Sequence, residues 1–285
     1  MTPELQRKVD FAIHLLQSIP QDGPIELCYS GGKDSDVILE LAKMAGIPFE
    51  AIYKNTTIDP PGTIQHCKEK GVKIVQPPKS FYQLVSESGN PTRHHRFCCG
   101  VLKEYKIHDR AILGIRREES SRRFARYKEP EQCRVYSKDK KVRQYFPILE
   151  WTKADVEEFI TERGVKCHSL YYDEDGKFHA ERRLGCIGCP LQHDHGRSQY
   201  IKYPMMLRAL ARAMQKYKDT KPAASWYKHF GADVTIYKIL VFHLFFDTVA
   251  DFNLATGSGG GELFDGMELD YKKYLEDYFK IDLTL

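Results

Sequence analysis

The stretch from Ile25 to Gly46, IELCYSGGKDSDVILELAKMAG, limits the fold more than any other part of the chain. An apolar run of strand length, Ile25 to Tyr29, meets Gly31 and Gly32, and apolar residues at helical spacing then lead to Gly46. That order reads as a buried strand, a tight loop and a helix over about Ser35 to Ala45. The alternation continues: Phe49 to Lys54 reads as a second strand, Pro61 to Lys70 as a helix and Val72 to Val75 as a third strand, making a βαβαβ unit. Helices are expected at Pro3 to Ser18, Lys79 to Ser86 and Val101 to His108, a fourth strand at Ala111 to Arg116 and a fifth at Arg143 to Ile148. In WTKADVEEFI, Thr152 and Asp155 have capping-box spacing, with Val156, Phe159 and Ile160 on one helical face. The fold class is therefore α/β, a doubly wound, mostly parallel five-stranded sheet whose ligands sit beyond the strand C-termini. After Pro190 the pattern turns mostly helical, with a flexible TGSGGG loop expected at Thr256 to Gly261. Residues 1–190 are thus read as the α/β domain and residues 191–285 as a C-terminal helical appendage.

Composition removes several classes. With 42% hydrophobic residues in a chain of 285, a full core can form and a disordered chain is excluded. No apolar run approaches the roughly 18 to 20 residues of a membrane span; the nearest, Ile236 to Phe246, is broken by Lys238 and His243. The first twenty residues mix both signs of charge and lack the layout of a signal peptide, so the expected location is the cytoplasm, with no membrane partner. In that reducing compartment eight cysteines suit metal ligands, nucleophiles or core positions rather than disulfides. Residues 93–143 carry 16 Lys/Arg against 7 Asp/Glu, which points to an anionic ligand near that segment.

The loop offers what an anion needs. A strand-to-helix turn presents backbone N–H groups and a helix N-terminus; Gly31 and Gly32 allow close approach, Ser30 and Ser35 add hydroxyls, Lys33 a positive charge, and Asp34 a carboxylate for Mg2+. SGGKDS resembles the PP-loop of the ATP pyrophosphatase superfamily, with its adenine nucleotide alpha hydrolase-like fold. The resemblance implies that Ser30, Gly31, Gly32, Lys33, Asp34 and Ser35 embrace a pyrophosphate, that Lys33, Asp34 and Ser35 serve its departure, and that adenine lies near Tyr53 to Thr56.

Cys98 and Cys99 are adjacent in HHRFCCGVLK, and Cys186 and Cys189 form C-x-x-C in LGCIGCP. Neighbouring cysteines diverge and fit poorly on one ion, whereas four thiolates suit a [4Fe–4S] cluster, with Gly185 and Gly188 freeing N–H groups for cluster sulfur. A Zn2+ site and unligated core cysteines remain alternatives. Together with GIRREESSRR and FPILEWTKADV, the pattern resembles the cluster-binding adenylylsulfate reductases of the phosphoadenosine phosphosulfate (PAPS) reductase family over about Ile25 to Pro190. That resemblance implies that Arg116, Arg117 and Arg123 line the anion side of the pocket and that Lys103 sits between cluster and nucleotide.

The sequence departs from the reductases in having no cysteine after Cys189, so the usual terminal thiol nucleophile is missing. The intact loop makes the chain similar to the ATP-using, cluster-containing DndC-like branch. The implied activity is splitting of ATP at the α–β bond into AMP and pyrophosphate to activate an acceptor for sulfur transfer, with a sulfur-donor protein as partner. Two alternatives stay open: a true PAPS or adenylylsulfate reductase using Cys133 or a partner's thiol, and a non-catalytic nucleotide- or nucleic-acid-binding component. For the last, Arg208, Arg212 and Lys216 fall on one helix face, although a solvated face explains them as well. Cys133 reads more readily as a buried cysteine than as a sulfur carrier. His193 and His195, close to Cys189, could supply an alternative metal ligand but read more readily as surface or supporting groups; His94 and His95, which precede the cysteine pair, could hydrogen-bond an anion, and no role is assigned to them.

Overall fold

The computed structural model describes residues 1–105, 107–137, 140–220, 229–231, 234–256 and 269–285. They form two compact units whose sequences interleave: residues 1–55, 59–77 and 103–185 make the first, and residues 56–58, 78–102 and 186–285 the second.

The first unit is an α/β layer structure. Its sheet has the order β3-β2-β1-β4-β6-β5, built from β1 (Ile25–Tyr29), β2 (Glu50–Lys54), β3 (Lys73–Val75), β4 (Arg110–Leu113), β5 (Glu131–Ser137) and β6 (Lys140–Tyr145). All neighbours are parallel except β5 and β6. Helices α1 (Pro3–Gln17), α2 (Lys33–Ala45) and α3 (Thr63–Glu69) come from the first half of this unit. Thr2 caps α1, and Leu5, Val9, Ala12 and Leu16 form its buried stripe. Each fully buried Leu or Val contributes about 1.5–3 kcal/mol relative to exposure. On β1 the period of two sends Ile25, Leu27 and Tyr29 into this core and leaves Glu26 and Cys28 on the other face. Helix α7 (Lys153–Arg163) closes the layer with Val156, Phe159 and Ile160 buried, as its spacing predicts.

Three expectations change. The sheet has six strands rather than five, because β5, EQCRVYS, carries no apolar run; it is an edge strand paired antiparallel with β6, and its Cys133 and Val135 are exposed. Helix α5 runs Phe97–Leu102 instead of Val101 to His108. Beyond it, tertiary partners override helix propensity: Lys54 Nζ donates to the Tyr105 carbonyl at 2.7 Å, and the Ile107 N–H donates to Glu26 Oε2 at 3.3 Å. Strand β4 ends at Leu113, before Arg116, and the short helix α6 (Ser121–Arg126) follows.

The second unit is helical. It contains α4 (Phe81–Ser88), α5, α8 (Arg197–Lys202), α9 (Pro204–Thr220) and the helices Ile236–Phe245, Val249–Thr256 and Tyr271–Phe279. Its core gathers Leu84, Val85, Leu207, Leu210, Met214, Ile239, Leu240, Phe252, Leu275 and Phe279. On α9, Arg212 and Lys216 are exposed, while Arg208 donates to the Thr284 carbonyl at 3.2 Å. The glycine-rich stretch 257–261 lies outside the described residues. Among the described residues no single helix is long and apolar enough to cross a membrane; Ile236–Phe245 and Val249–Thr256 reach that length only jointly, across a 112° bend.

The start of α7 gives a stability prediction. Thr152 Oγ1 accepts the Asp155 N–H at 3.1 Å, and Asp155 Oδ2 accepts the Thr152 N–H at 2.6 Å and Lys8 Nζ at 2.7 Å. Burial opposes ionisation of Asp155, but these hydrogen bonds and the Lys8 charge outweigh it and hold the carboxyl below its usual range. Thr152→Ala is expected to cost about 1 kcal/mol, read as a lower urea midpoint. A carboxyl with a depressed folded-state pKa stabilises above its unfolded value, about pH 4, and loses that contribution as pH falls through the folded value. The stability gap between wild type and Asp155→Asn should therefore close as pH drops below about 4; a gap constant down to acid unfolding would refute the assignment.

Candidate functional site

In the first unit, the phosphate loop is shaped by its neighbours. Gly31 has φ +77°, where L side chains are strained, and a Cβ there would meet Thr63 at 3.0 Å and Leu184 at 3.1 Å. Gly32 is the N-cap of α2, so Lys33, Asp34 and Ser35 make the first helical turn. The Ser35 hydroxyl donates to the Gly32 carbonyl at 2.6 Å, and Ser30 Oγ donates to Ser35 Oγ at 3.3 Å. The Ser35 N–H turns back to the Gly32 carbonyl and the Lys33 N–H donates to the Tyr171 hydroxyl. Among the described residues, the N–H groups of Gly31, Gly32 and Asp34 have no protein acceptor, which leaves a short anion-binding cup at the positive end of α2.

Arg116 fixes the acidic member of the loop. Its Nε donates to Asp34 Oδ1 at 2.6 Å, its Nη1 to Glu118 Oε2 at 2.8 Å, and the residue is 4% exposed. Lys33 Nζ lies 3.4 Å from the other Asp34 oxygen. Gly114, between β4 and Arg116, permits this approach, since a Cβ there would stand 2.9 Å from the Asp34 carbonyl oxygen.

Beside the loop is a cavity of about 200 Å3, lined by Cys28, Ser30, Gly32, Lys33, Asp34, Ser35, Gly114, Glu119, Arg123, Tyr171, Arg183 and Leu184. Arg123 and Arg183 converge on the Glu119 carboxylate, Arg183 Nη2 at 3.1 Å. Burial, then the Arg183 charge, lowers the Arg123 pKa below the usual guanidinium value. The three arginines of GIRREESSRR thus part ways. Arg123 lines the cavity, Arg116 acts on it through Asp34, and Arg117 turns to the carbonyls of Tyr127 and Lys128 and to Glu150. Sequence reasoning missed Tyr171, Arg183 and Glu119; only the charge pair in ERRLGC was a usable signal, for Arg183.

A second cavity, about 190 Å3, shares Cys28 and Ser30 with the first and is also lined by Tyr53, Lys54, Lys103, Tyr105, His108, Arg134 and Gln144. Lys103 Nζ stands 3.8 Å from Asp59, whose carboxylate also accepts the Tyr53 hydroxyl. Burial and the adjacent Glu26 carboxylate push the Cys28 thiol well above its usual range.

The cysteine motifs lie in the second unit. Cys98 and Cys99 are on α5. The C-x-x-C loop is pinned by Ile187 N–H to the Ile58 carbonyl at 2.8 Å, by Gln192 Nε2 to the Cys186 carbonyl at 3.2 Å, and by Arg93 to the carbonyls of Pro190 and Gln192, both at 2.9 Å. The Cys186 thiol is 3.7 Å from Thr56 Oγ1. The Cys98 thiol is pushed far up, first by its hydrogen bond with Cys99, then by burial and by the ionised forms of Cys99, Cys186 and Cys189, so the four sulfurs share one electrostatic neighbourhood. Gly188 N–H is not free for a cluster sulfide, because it donates to Gln199 Oε1 at 2.9 Å. Among the described residues no three His, Cys, Asp or Glu are gathered around one point as a single metal ion requires. His195 faces Asp247 at 3.3 Å. None of the eight cysteines forms a disulfide, and Cys133 is exposed rather than buried.

Residues 24–192 match the phosphoadenosine phosphosulfate reductase domain. The uncharacterized protein MJ0973 of Methanocaldococcus jannaschii is 33% identical over 58% of this chain. Sulfate adenylyltransferase subunit 2 of Brucella ovis is 26% identical over 59% of this chain and 67% of its own length. The tRNA-cytidine(32) 2-sulfurtransferase of Pseudomonas fluorescens is 34% identical over 29% of this chain and 34% of its own length. The chain spans only 41% of the length of MJ0973. With more than half of its residues inside the matched domain and a loop, sheet and arginine turn built as above, the chain belongs to the phosphoadenosine phosphosulfate reductase domain family.

Proposed function

We propose that this chain binds ATP at the SGGKDS loop and splits it at the α–β bond, transferring AMP to an oxygen of an acceptor that then takes up sulfur. The observation that carries the reading is the anion cup itself: backbone donors at Gly31, Gly32 and Asp34, Ser30 and Ser35 hydroxyls, and Lys33, all fixed around a carboxylate clamped by Arg116. An acceptor oxygen attacks the α-phosphorus, the bond from it to the bridging oxygen breaks, and pyrophosphate leaves with the electron pair. Donors already in place stabilise that growing charge without reorganisation. Asp34 is the carboxylate suited to Mg2+, through the oxygen that Arg116 does not take, with phosphate oxygens as further ligands. The adenine would occupy the second cavity, beside Tyr53 and Lys54. A relative named for adenylyl transfer and another named for sulfur transfer support the two halves of the reaction.

We assign Cys98, Cys99, Cys186 and Cys189 to a [4Fe–4S] cluster. Four thiols influence one another, and two of them, Cys98 and Cys99, are adjacent on α5, where successive side chains diverge. A zinc ion draws its thiolates to about 2.3 Å from one centre, whereas a cluster spreads them over separate irons. When bound, the cluster would supply a site for holding or relaying sulfur. The chain's own part is to present the four sulfurs from α5 and from a loop anchored by Arg93 and Gln192.

Two outcomes test the reading. Anaerobically purified wild type should release AMP and pyrophosphate from ATP, and Asp34→Ala should lower that rate about 100-fold, as loss of a fixed electrostatic group does; an unaffected rate would falsify the phosphate-loop assignment. Iron and acid-labile sulfide should each approach about four per chain and fall sharply in Cys186→Ser; one zinc and no iron would sink the cluster assignment while leaving ATP cleavage standing.

A further inference from the structure

Beneath the phosphate loop lies a tyrosine with an uncommitted proton. Tyr171 is 2% exposed, and the Lys33 ammonium sits over its ring, 5.4 Å from the centroid. Its hydroxyl oxygen accepts two backbone donors, the Lys33 N–H at 3.2 Å and the Leu184 N–H at 3.3 Å. A phenol has two acceptor sites and one proton. Both acceptor sites are thus filled, and among the described residues the proton has no acceptor. The oxygen stands next to Gly32, where a Cβ would come within 3.3 Å of it. The side chain lines the same cavity as Lys33 and Ser35. With the two N–H groups holding the oxygen from the protein side, the direction left to the proton is the cavity.

We propose that Tyr171 is a further phosphate-binding residue, whose hydroxyl donates a hydrogen bond to an oxygen of the departing pyrophosphate. The inference rests on the ATP reading above and adds a donor that lies far from the loop in sequence. Two N–H groups pointing at the phenol oxygen polarise its O–H bond, and an O–H to phosphate hydrogen bond is charge-assisted. Burial raises the Tyr171 pKa to about 12, so the group stays a neutral donor at physiological pH. The Lys33 N–H, which a bare loop would aim at the anion, instead acts through the phenol.

The test is calorimetric titration of inorganic pyrophosphate, with Mg2+, into the full anaerobically purified chain. Tyr171→Phe should weaken pyrophosphate binding about tenfold or more, the range for a hydrogen bond to a charged group. Tyr172→Phe is the control: its hydroxyl also accepts a backbone N–H, that of Cys167 at 3.2 Å, but the residue does not line the cavity. It should bind pyrophosphate as wild type does. If Tyr171→Phe does not fold, 3-fluorotyrosine at position 171 keeps the ring and makes a stronger donor, and binding should tighten. Unchanged affinity in Tyr171→Phe, equal losses in the two phenylalanine variants, or no gain from the fluorinated ring would each overturn the assignment while ATP cleavage by wild type stands. A wild-type chain that binds neither pyrophosphate nor ATP removes both readings together.

Discussion

The contact between Arg116 and Asp34 sets the geometry of the first unit around its loop. Asp34 sits in the first turn of α2, where the helix N-terminus favours a negative group, and the buried Arg116 guanidinium takes one of its oxygens at 2.6 Å. The pair joins the exit of β4 to the start of α2, two elements 82 positions apart. Glycine at 114 is the steric condition for that approach, because any side chain would press on the Asp34 carbonyl. Removing one partner would leave the other poorly compensated in a largely buried place, a loss of about 3–5 kcal/mol for a fully buried pair and less here, where Asp34 keeps some exposure. The same contact keeps one carboxylate oxygen occupied and directs the other toward Lys33 and the cavity.

A second polar group on α2 works from inside the core. Asp36 is 1% exposed and accepts the Tyr29 hydroxyl and His66 Nε2, the latter at 3.0 and 3.1 Å to its two oxygens. His66 meets His168 edge-on at 5.7 Å between ring centres, and His168 Nε2 is 3.4 Å from the Thr63 hydroxyl. Burial, then the His66 charge, lowers the His168 pKa, which favours the neutral ring. An apolar residue at 36 alone would leave the buried Tyr29 hydroxyl and His66 ring without their acceptor, a costly change, and it would also lose what specifies how α3 and the 168–171 turn lie against the loop. That register matters because Thr63 bounds Gly31 and Tyr171 holds the Lys33 N–H.

What the sequence made legible follows the range of the forces involved. The strand, loop and helix at Ile25 to Gly46 are local, so apolar spacing and two glycines suffice to find them, and the capping box at Thr152 is legible for the same reason. Strand β5 was hidden because its order comes from pairing with β6, not from its own composition. Residues 103–108 read as helix until Glu26 and Lys54, on other strands, claim their backbone groups. In the candidate site the loop residues announced themselves, whereas Tyr171 and Arg183 reach the cavity only through tertiary folding, with no spacing to mark them. Arg116, Arg117 and Arg123 look equivalent in sequence; their neighbours give them three different tasks.

The cysteine neighbourhood carries its own thermodynamic argument. Ionising Cys98 next to three other thiols is opposed by its hydrogen bond to Cys99, by burial and by like charge, so its pKa is pushed far up. Without a cation the protonated form of Cys98 is the stable one. Metal ligands are thiolates, so the proposed cluster, if bound, would release protons on loading. The repulsion that raises Cys98 is the one a bound cation would relieve. A loop anchored at Ile58, Arg93, Gln192 and Gln199 is therefore shaped by backbone hydrogen bonds that do not depend on the sulfurs being filled.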